Sequence, residues 1–158
     1  MSSSFNLSLP VAIGCDHAGF EYKSKLVQWL QEQGFQTIDM GVHQNSSVDY
    51  PDYAHPVADS VEKNEAAFGI LLCGSANGVC MTANKHSGIR AALCWQTDVA
   101  KITRQHNNAN IICIPARFVA FEYARQMVQV FMDTQFDGGR HQLRIDKQTP
   151  PRLLKGGN

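Results

Sequence analysis

Cys73 ends the apolar run Ile70-Leu71-Leu72 and is followed at once by Gly74, Ser75, Ala76, Asn77 and Gly78. Small residues between a strand and a helix let backbone N–H groups converge on an anion at the helix N-terminus. A thiol beside such a turn can work as a thiolate next to a stabilised oxyanion, and the helix dipole favours the thiolate by lowering its pKa. The turn is neither a Walker loop, which ends in Gly-Lys-Ser/Thr, nor a GxGxxG turn. Taken alone, a Gly-rich turn is equally well explained by sterics, and a strand-end cysteine is more often core than catalytic. Cys15, Cys80, Cys94 and Cys113 keep the core reading.

Three further groups have the right chemistry. Asp16-His17 offers an acid and an imidazole for proton transfer, or an imidazole for a phosphate; the alternative is an N-cap in a solvated turn. His106, followed by Asn107, stands at a helix end, where an imidazole either answers the dipole or does catalysis. Arg140 and Arg144 flank His141 after Gly138-Gly139. Arginines four apart share one helix face and can grip one phosphate, or simply form a basic solvated turn.

The elements that must position these groups alternate along the chain. Strands are expected at residues 11–14, 37–40, 68–73, 89–94 and 109–114. Helices are expected at 20–33, closed by Gly34, then 53–63 with Pro56 in its first turn, 78–84, 97–106 capped by Thr97, and 119–134. Alternating strands and helices give a five-stranded parallel sheet covered on both faces, a Rossmann-like three-layer α/β/α sandwich. One domain spans residues 10–149, between a loose arm at 1–9 and a tail at 150–158.

Ligands of such sheets bind beyond the carboxyl ends of the strands. Asp16-His17, Cys73-Gly74-Ser75 and Arg117 all follow strands there. A crossover helix runs antiparallel to its strand, so His106 and Arg140 fall at the opposite edge. If they serve the same chemistry, they reach Cys73 from another subunit of a two-fold dimer.

Composition narrows the class. Lys plus Arg and Asp plus Glu each number 14, giving zero net charge, so nucleic acid and anionic membrane are poor partners. No signal peptide or membrane-spanning run is seen, and the 5 cysteines lack zinc-like CxxC pairing. A soluble cytoplasmic protein is expected.

Six segments together carry a family resemblance: GCDHAGF (14–20), DYPDYA (49–54), LLCGSANGV (71–79), ANKHSGIRA (83–91), RQHNNAN (104–110) and GGRHQLR (138–144). They cover nearly all of residues 11–146, and the chain resembles the type B ribose-5-phosphate isomerases and the related galactose-6-phosphate isomerase subunits. The resemblance implies a homodimer or dimer of dimers with shared active sites. It implies interconversion of D-ribose 5-phosphate and D-ribulose 5-phosphate, in the pentose phosphate pathway, without metal or cofactor. Some relatives place serine at the position of Cys73 and a glutamate a few residues on; here Gly78-Val79-Cys80 offers no acid, so Cys73 is the implied base. His106 with Asp16 resembles the ring-opening pair. The N–H groups of residues 74–78 and the Ser75 hydroxyl would stabilise a cis-enediolate. His17, Arg117, Arg140 and Arg144 look like the phosphate grip, assisted by His141, while Tyr50 and Asn107 line the sugar site.

One departure stands out. Many relatives have glycine at position 76, and alanine there is strained if φ is positive; the expectation is that the loop tolerates the methyl group. Competing readings are an isomerase for galactose or allose 6-phosphate, and a non-catalytic sugar-phosphate or nucleotide-binding module on the same fold.

Overall fold

The computed structural model describes residues 4–154; the start of the expected arm (1–3) and the end of the expected tail (155–158) lie outside the described residues. Strands β1 (Val11–Cys15), β3 (Gly69–Cys73) and β5 (Ile111–Pro115) are buried along their whole length. Their unbroken apolar sequences are those of strands covered on both faces. The three-residue strands β2 (Thr37–Asp39) and β4 (Ala91–Leu93) form the two edges. All pairs are parallel, in the order β2-β1-β3-β5-β4.

Alternate strand residues feed two separate cores. Ile13, Cys15, Ile70, Leu72, Ile112 and Ile114 pack with α1 (Phe20–Glu32), α4 (Thr97–Asn107) and α5 (Phe121–Asp133). Ala12, Leu71, Cys73, Ile111 and Cys113 pack on the other face with α2 (Pro51–Glu62) and α3 (Asn77–Ala83). The chain is therefore the expected three-layer α/β/α sandwich. It ends in two short helices, α6 (Arg140–Asp146) and α7 (Pro151–Leu154).

Several local expectations are corrected. Helix α2 starts earlier than its apolar pattern suggested, with Pro51 in its first turn, so Pro56 lies inside the helix rather than in the first turn. Its missing N–H removes one intrahelical bond, a loss the helix carries because Ala54, Val57, Ala58 and Val61 are anchored in the core. Thr97 does not cap α4; Gln96 occupies the N-cap and makes no side-chain cap bond. Strand β4 is shorter than its apolar run because the Arg90 N–H donates to the Asn110 side chain at 2.8 Å.

The arm is not loose where it is described. Phe5 packs on Phe68 and Phe131, with ring centroids 4.8 and 5.7 Å away. The guanidinium of Arg104, a fully buried residue, lies 4.1 Å from the Phe5 centroid and donates to Ser4 Oγ, Asn108 Oδ1 and the Ala109 carbonyl. A cation there meets the carbonyl end of α4, where the helix dipole favours it. Burial lowers its pKa to about 10, which still leaves it charged at neutral pH.

Candidate active site

The strand order reverses between β1 and β3, the point at which open α/β sheets bind ligands. Both strands end there, and the Asp16 N–H donates to the Leu72 carbonyl at 3.3 Å, fixing Asp16 beside Cys73. Asp16 does cap the following turn: Oδ1 accepts from the N–H groups of Ala18 (2.9 Å) and Gly19 (3.2 Å). His17 Nδ1 is buried and has no hydrogen-bond partner among the described residues. A buried imidazole nitrogen left unpaired is costly unless a ligand completes it.

Cys73 is 5 % exposed, and its Sγ accepts from the Ala76 N–H at 3.1 Å. The expected lowering of its pKa is overturned: burial raises the thiol, and the Asp16 carboxylate adds to the rise. Backbone N–H groups of Val79, Ala76 and Ser75 pull the other way. Desolvation is the largest of these effects, so the net shift is upward.

The loop after Cys73 has the shape its small residues allow. Ala76 is left-handed, with φ +59°, at the N-cap of α3. The Asn77 N–H turns back to Ser75 Oγ at 3.4 Å. At Gly78 an added Cβ would lie 2.5 Å from Cζ of Tyr50, so glycine lets that ring lie over the loop. Gly74 is faced by Arg117, whose Nε would be 3.3 Å from a Cβ there, and the Arg117 N–H donates to the Gly74 carbonyl at 3.2 Å.

The remaining expected residues form a second cluster. The rings of His106 and His141 stack with centroids 4.1 Å apart and planes 10° from parallel. Asp137 joins them: ligating atoms of His106, Asp137 and His141 all lie within 4.8 Å of one another. Desolvation and the neighbouring His106, Arg140 and Arg144 lower the pKa of His141. Asn107 lines a cavity of about 340 Å³ with Asn84, Arg90 and Gln148, and Arg90 Nε donates to the carbonyls of Asn107 (3.1 Å) and Asn108 (3.0 Å). Sequence reasoning missed Asp137 and Arg90; only the Asp-Gly-Gly-Arg-His spacing hinted at the first.

One chain does not unite the two clusters. Cys73 pairs with Pro115, whereas α4 delivers its end to the start of β5 at Ile111, beside Gly69. Four residue steps at the rise of a parallel strand separate these levels by about 13 Å, with His106 before the strand begins. Within one chain, Asp16, His17, Tyr50, residues 74–78 and Arg117 gather around Cys73, while His106, Asn107, Arg140, His141 and Arg144 stand at the other edge.

A parallel sheet presenting acid, imidazole, thiol and guanidinium at its switch point defines an α/β enzyme suited to proton transfer on an anionic substrate. Residues 11–148 match the Ribose/Galactose Isomerase family. The chain is 41% identical over 139 residues to ribose-5-phosphate isomerase B of Escherichia coli, covering 88% of this chain and 93% of that protein. Among solved structures, a ribose 5-phosphate isomerase from Thermotoga maritima superposes with TM-score 0.86 at 49% identity, covering 88% of this chain and 96% of that one. Ribose-5-phosphate isomerase B from Mycoplasma genitalium with bound ribulose-5-phosphate gives TM-score 0.89 at 40% identity, covering 96% and 100%. The chain belongs to the ribose/galactose isomerase family and is an isomerase.

Proposed function

We propose that the chain interconverts D-ribose 5-phosphate and D-ribulose 5-phosphate, with Cys73 as the base, in an active site completed by a second copy. The observation that carries this reading is the Cys73 sulfur, held at the switch point by a backbone N–H, in a relative of an enzyme solved with ribulose-5-phosphate.

The furanose ring opens first. His106 of the partner subunit and Asp16 handle the protons, one accepting from the C1 hydroxyl and one supporting protonation of the ring oxygen. Asp16 Oδ1 is engaged by the turn, so the second carboxylate oxygen is the one that faces the sugar. The Cys73 thiolate then removes the C2 proton; the electron pair forms the C1=C2 bond and the carbonyl oxygen becomes an oxyanion. The O2 proton passes to O1, the carbonyl re-forms at C2, and the Cys73 thiol returns its proton to C1. Loop N–H groups and the Ser75 hydroxyl face the enediolate. Because the Ala76 N–H already donates to sulfur, it favours the thiolate rather than the oxyanion.

His17 and Arg117 hold the substrate phosphate with Arg140, Arg144 and His141 supplied by the second copy, and Tyr50 and Asn107 border the sugar. The unpaired His17 nitrogen and the Arg117 guanidinium over Gly74 support that grip. Ring opening and the C2-to-C1 proton transfer are assigned to side chains, and no step calls on a metal ion. A role in the pentose phosphate pathway follows from the substrate, and 5 free cysteines suit a reducing, cytoplasmic compartment.

Isomerisation of ribose 5-phosphate in EDTA, wild type against Cys73→Ala, tests the reading. Full activity in the variant overturns the base assignment; faster turnover of galactose or allose 6-phosphate moves the enzyme to the six-carbon branch that the family's name includes.

A further inference from the structure

Away from the Cys73 site, the last two turns of α2 and the loop before β4 bring together His55, Asp59, Glu62 and His86. His86 Nδ1 lies 3.4 Å from Asp59 Oδ1 and 3.4 Å from Glu62 Oε2. The His86–Glu62 contact is a hydrogen bond at the long end of the range, and N···O bonds favour shorter distances. Both spacings match the edge of a tetrahedron around a divalent ion, about 3.3 Å for ligands at about 2.0–2.1 Å from the metal. All three ligating atoms lie within 4.8 Å of one another.

The surroundings orient each group for that task. The other Glu62 oxygen, Oε1, accepts from the Gly88 N–H at 2.7 Å and from Ser87 Oγ at 3.2 Å, leaving Oε2 turned to His86. Lys63 approaches the outer oxygen of Asp59 at 4.0 Å, leaving Oδ1 turned inward. His86 Nε2 lies 2.8 Å from His55 Nδ1. With the His86 proton on Nε2, it donates to His55 Nδ1 and frees the His86 Nδ1 lone pair; a metal-bound imidazole likewise donates its other N–H to an acceptor, here a second imidazole.

We propose that Asp59, Glu62 and His86 bind one zinc-class divalent cation, with His55 orienting His86, and that the ion staples α2 to the loop before β4. One nitrogen and two carboxylate oxygens suit zinc or cobalt rather than calcium, which takes oxygen ligands. Side-chain exposures of 15, 31 and 49 % for His86, Glu62 and Asp59 leave room for water as the fourth ligand. The His106–Asp137–His141 cluster is the weaker candidate, because its stacked rings place their lone pairs in parallel planes that do not converge.

The test titrates Co²⁺ and Zn²⁺ into the chelator-treated full chain, reading stoichiometry by calorimetry, tetrahedral cobalt absorption and melting temperature. One ion per chain is expected, with a rise in melting temperature. Glu62→Gln, which keeps the acceptor for Gly88, and His86→Asn should each weaken binding at least about tenfold and abolish the rise. His141→Asn should leave cobalt binding unchanged. Saturable binding absent below about 100 µM, retained in His86→Asn, or lost in His141→Asn overturns the site.

Discussion

The Ala76 N–H donates to Cys73 Sγ at 3.1 Å, from a residue whose own φ of +59° is left-handed. The backbone bends to aim a donor at a thiol that burial otherwise keeps protonated. The loop's conformation and the thiolate's stability are thus one feature.

Cys73→Ala should lower kcat for ribose 5-phosphate by about 10²–10⁴-fold, the usual contribution of a positioned base. Phosphate binding, measured by calorimetry, should survive. A fall in affinity equal to the fall in kcat would mean the thiol binds rather than catalyses.

Because burial raises the Cys73 thiol above its ordinary value, kcat/KM should climb with pH, its rising limb tracking thiolate formation. Asp16→Asn removes a charge that adds to the rise, so its limb should move to lower pH even as turnover falls. A limb unmoved in that variant would deny the electrostatic link between the two side chains.

Two copies should complement each other. Mixing Cys73→Ala with His106→Asn chains puts an intact Cys73 opposite an intact His106 in one site of each hybrid. About a quarter of wild-type activity should return on equal mixing and subunit exchange. Two inactive variants that stay inactive after demonstrated exchange would end the shared-site reading.

Ala76→Gly should change stability by less than about 1 kcal/mol, despite relieving a left-handed alanine. The relief, roughly 1–2 kcal/mol, is offset by the entropy of glycine and the loss of a methyl that is 0 % exposed, about 0.8 kcal/mol. Ala76→Val should destabilise by more than about 2 kcal/mol, because a branched side chain fits neither the φ nor the space. Chemical denaturation separates the two.

High pH should weaken the fold. Burial pushes Cys15 and Cys94 from 9.0 to about 12, so both thiols stay protonated when folded but ionise in the unfolded chain. Their stabilisation is complete below pH 9 and is lost between about pH 9 and 12, by about 1.4 kcal/mol per pH unit for each thiol. In Cys94→Ala the alkaline slope of the melting temperature should be shallower.

Much of the architecture was legible because strand and helix periods are local. The apolar runs at β1, β3 and β5 and the stripe of α5 each announce themselves within a dozen residues. Pro56 and Thr97 misled because helix starts depend on neighbours: core contacts override the proline, and a side chain suited to capping α4 is not the one that falls at its cap. The arm looked loose because nothing near Phe5 in sequence reveals Phe68, Phe131 and Arg104.

The sequence by itself determined the residue types of the candidate site, the alternating pattern that makes a parallel sheet, and six segments in family order. Tertiary structure decided which of those residues meet. Strand order puts Asp16 beside Cys73 and sends His106 to the far edge, where Asp137 joins it. It also decided the sign of the Cys73 shift, since desolvation sums over atoms from many segments while a turn's dipole is read from one. The meeting of His86 with Asp59 and Glu62 has the same origin: their elements are distant in the chain and packed together only by the fold.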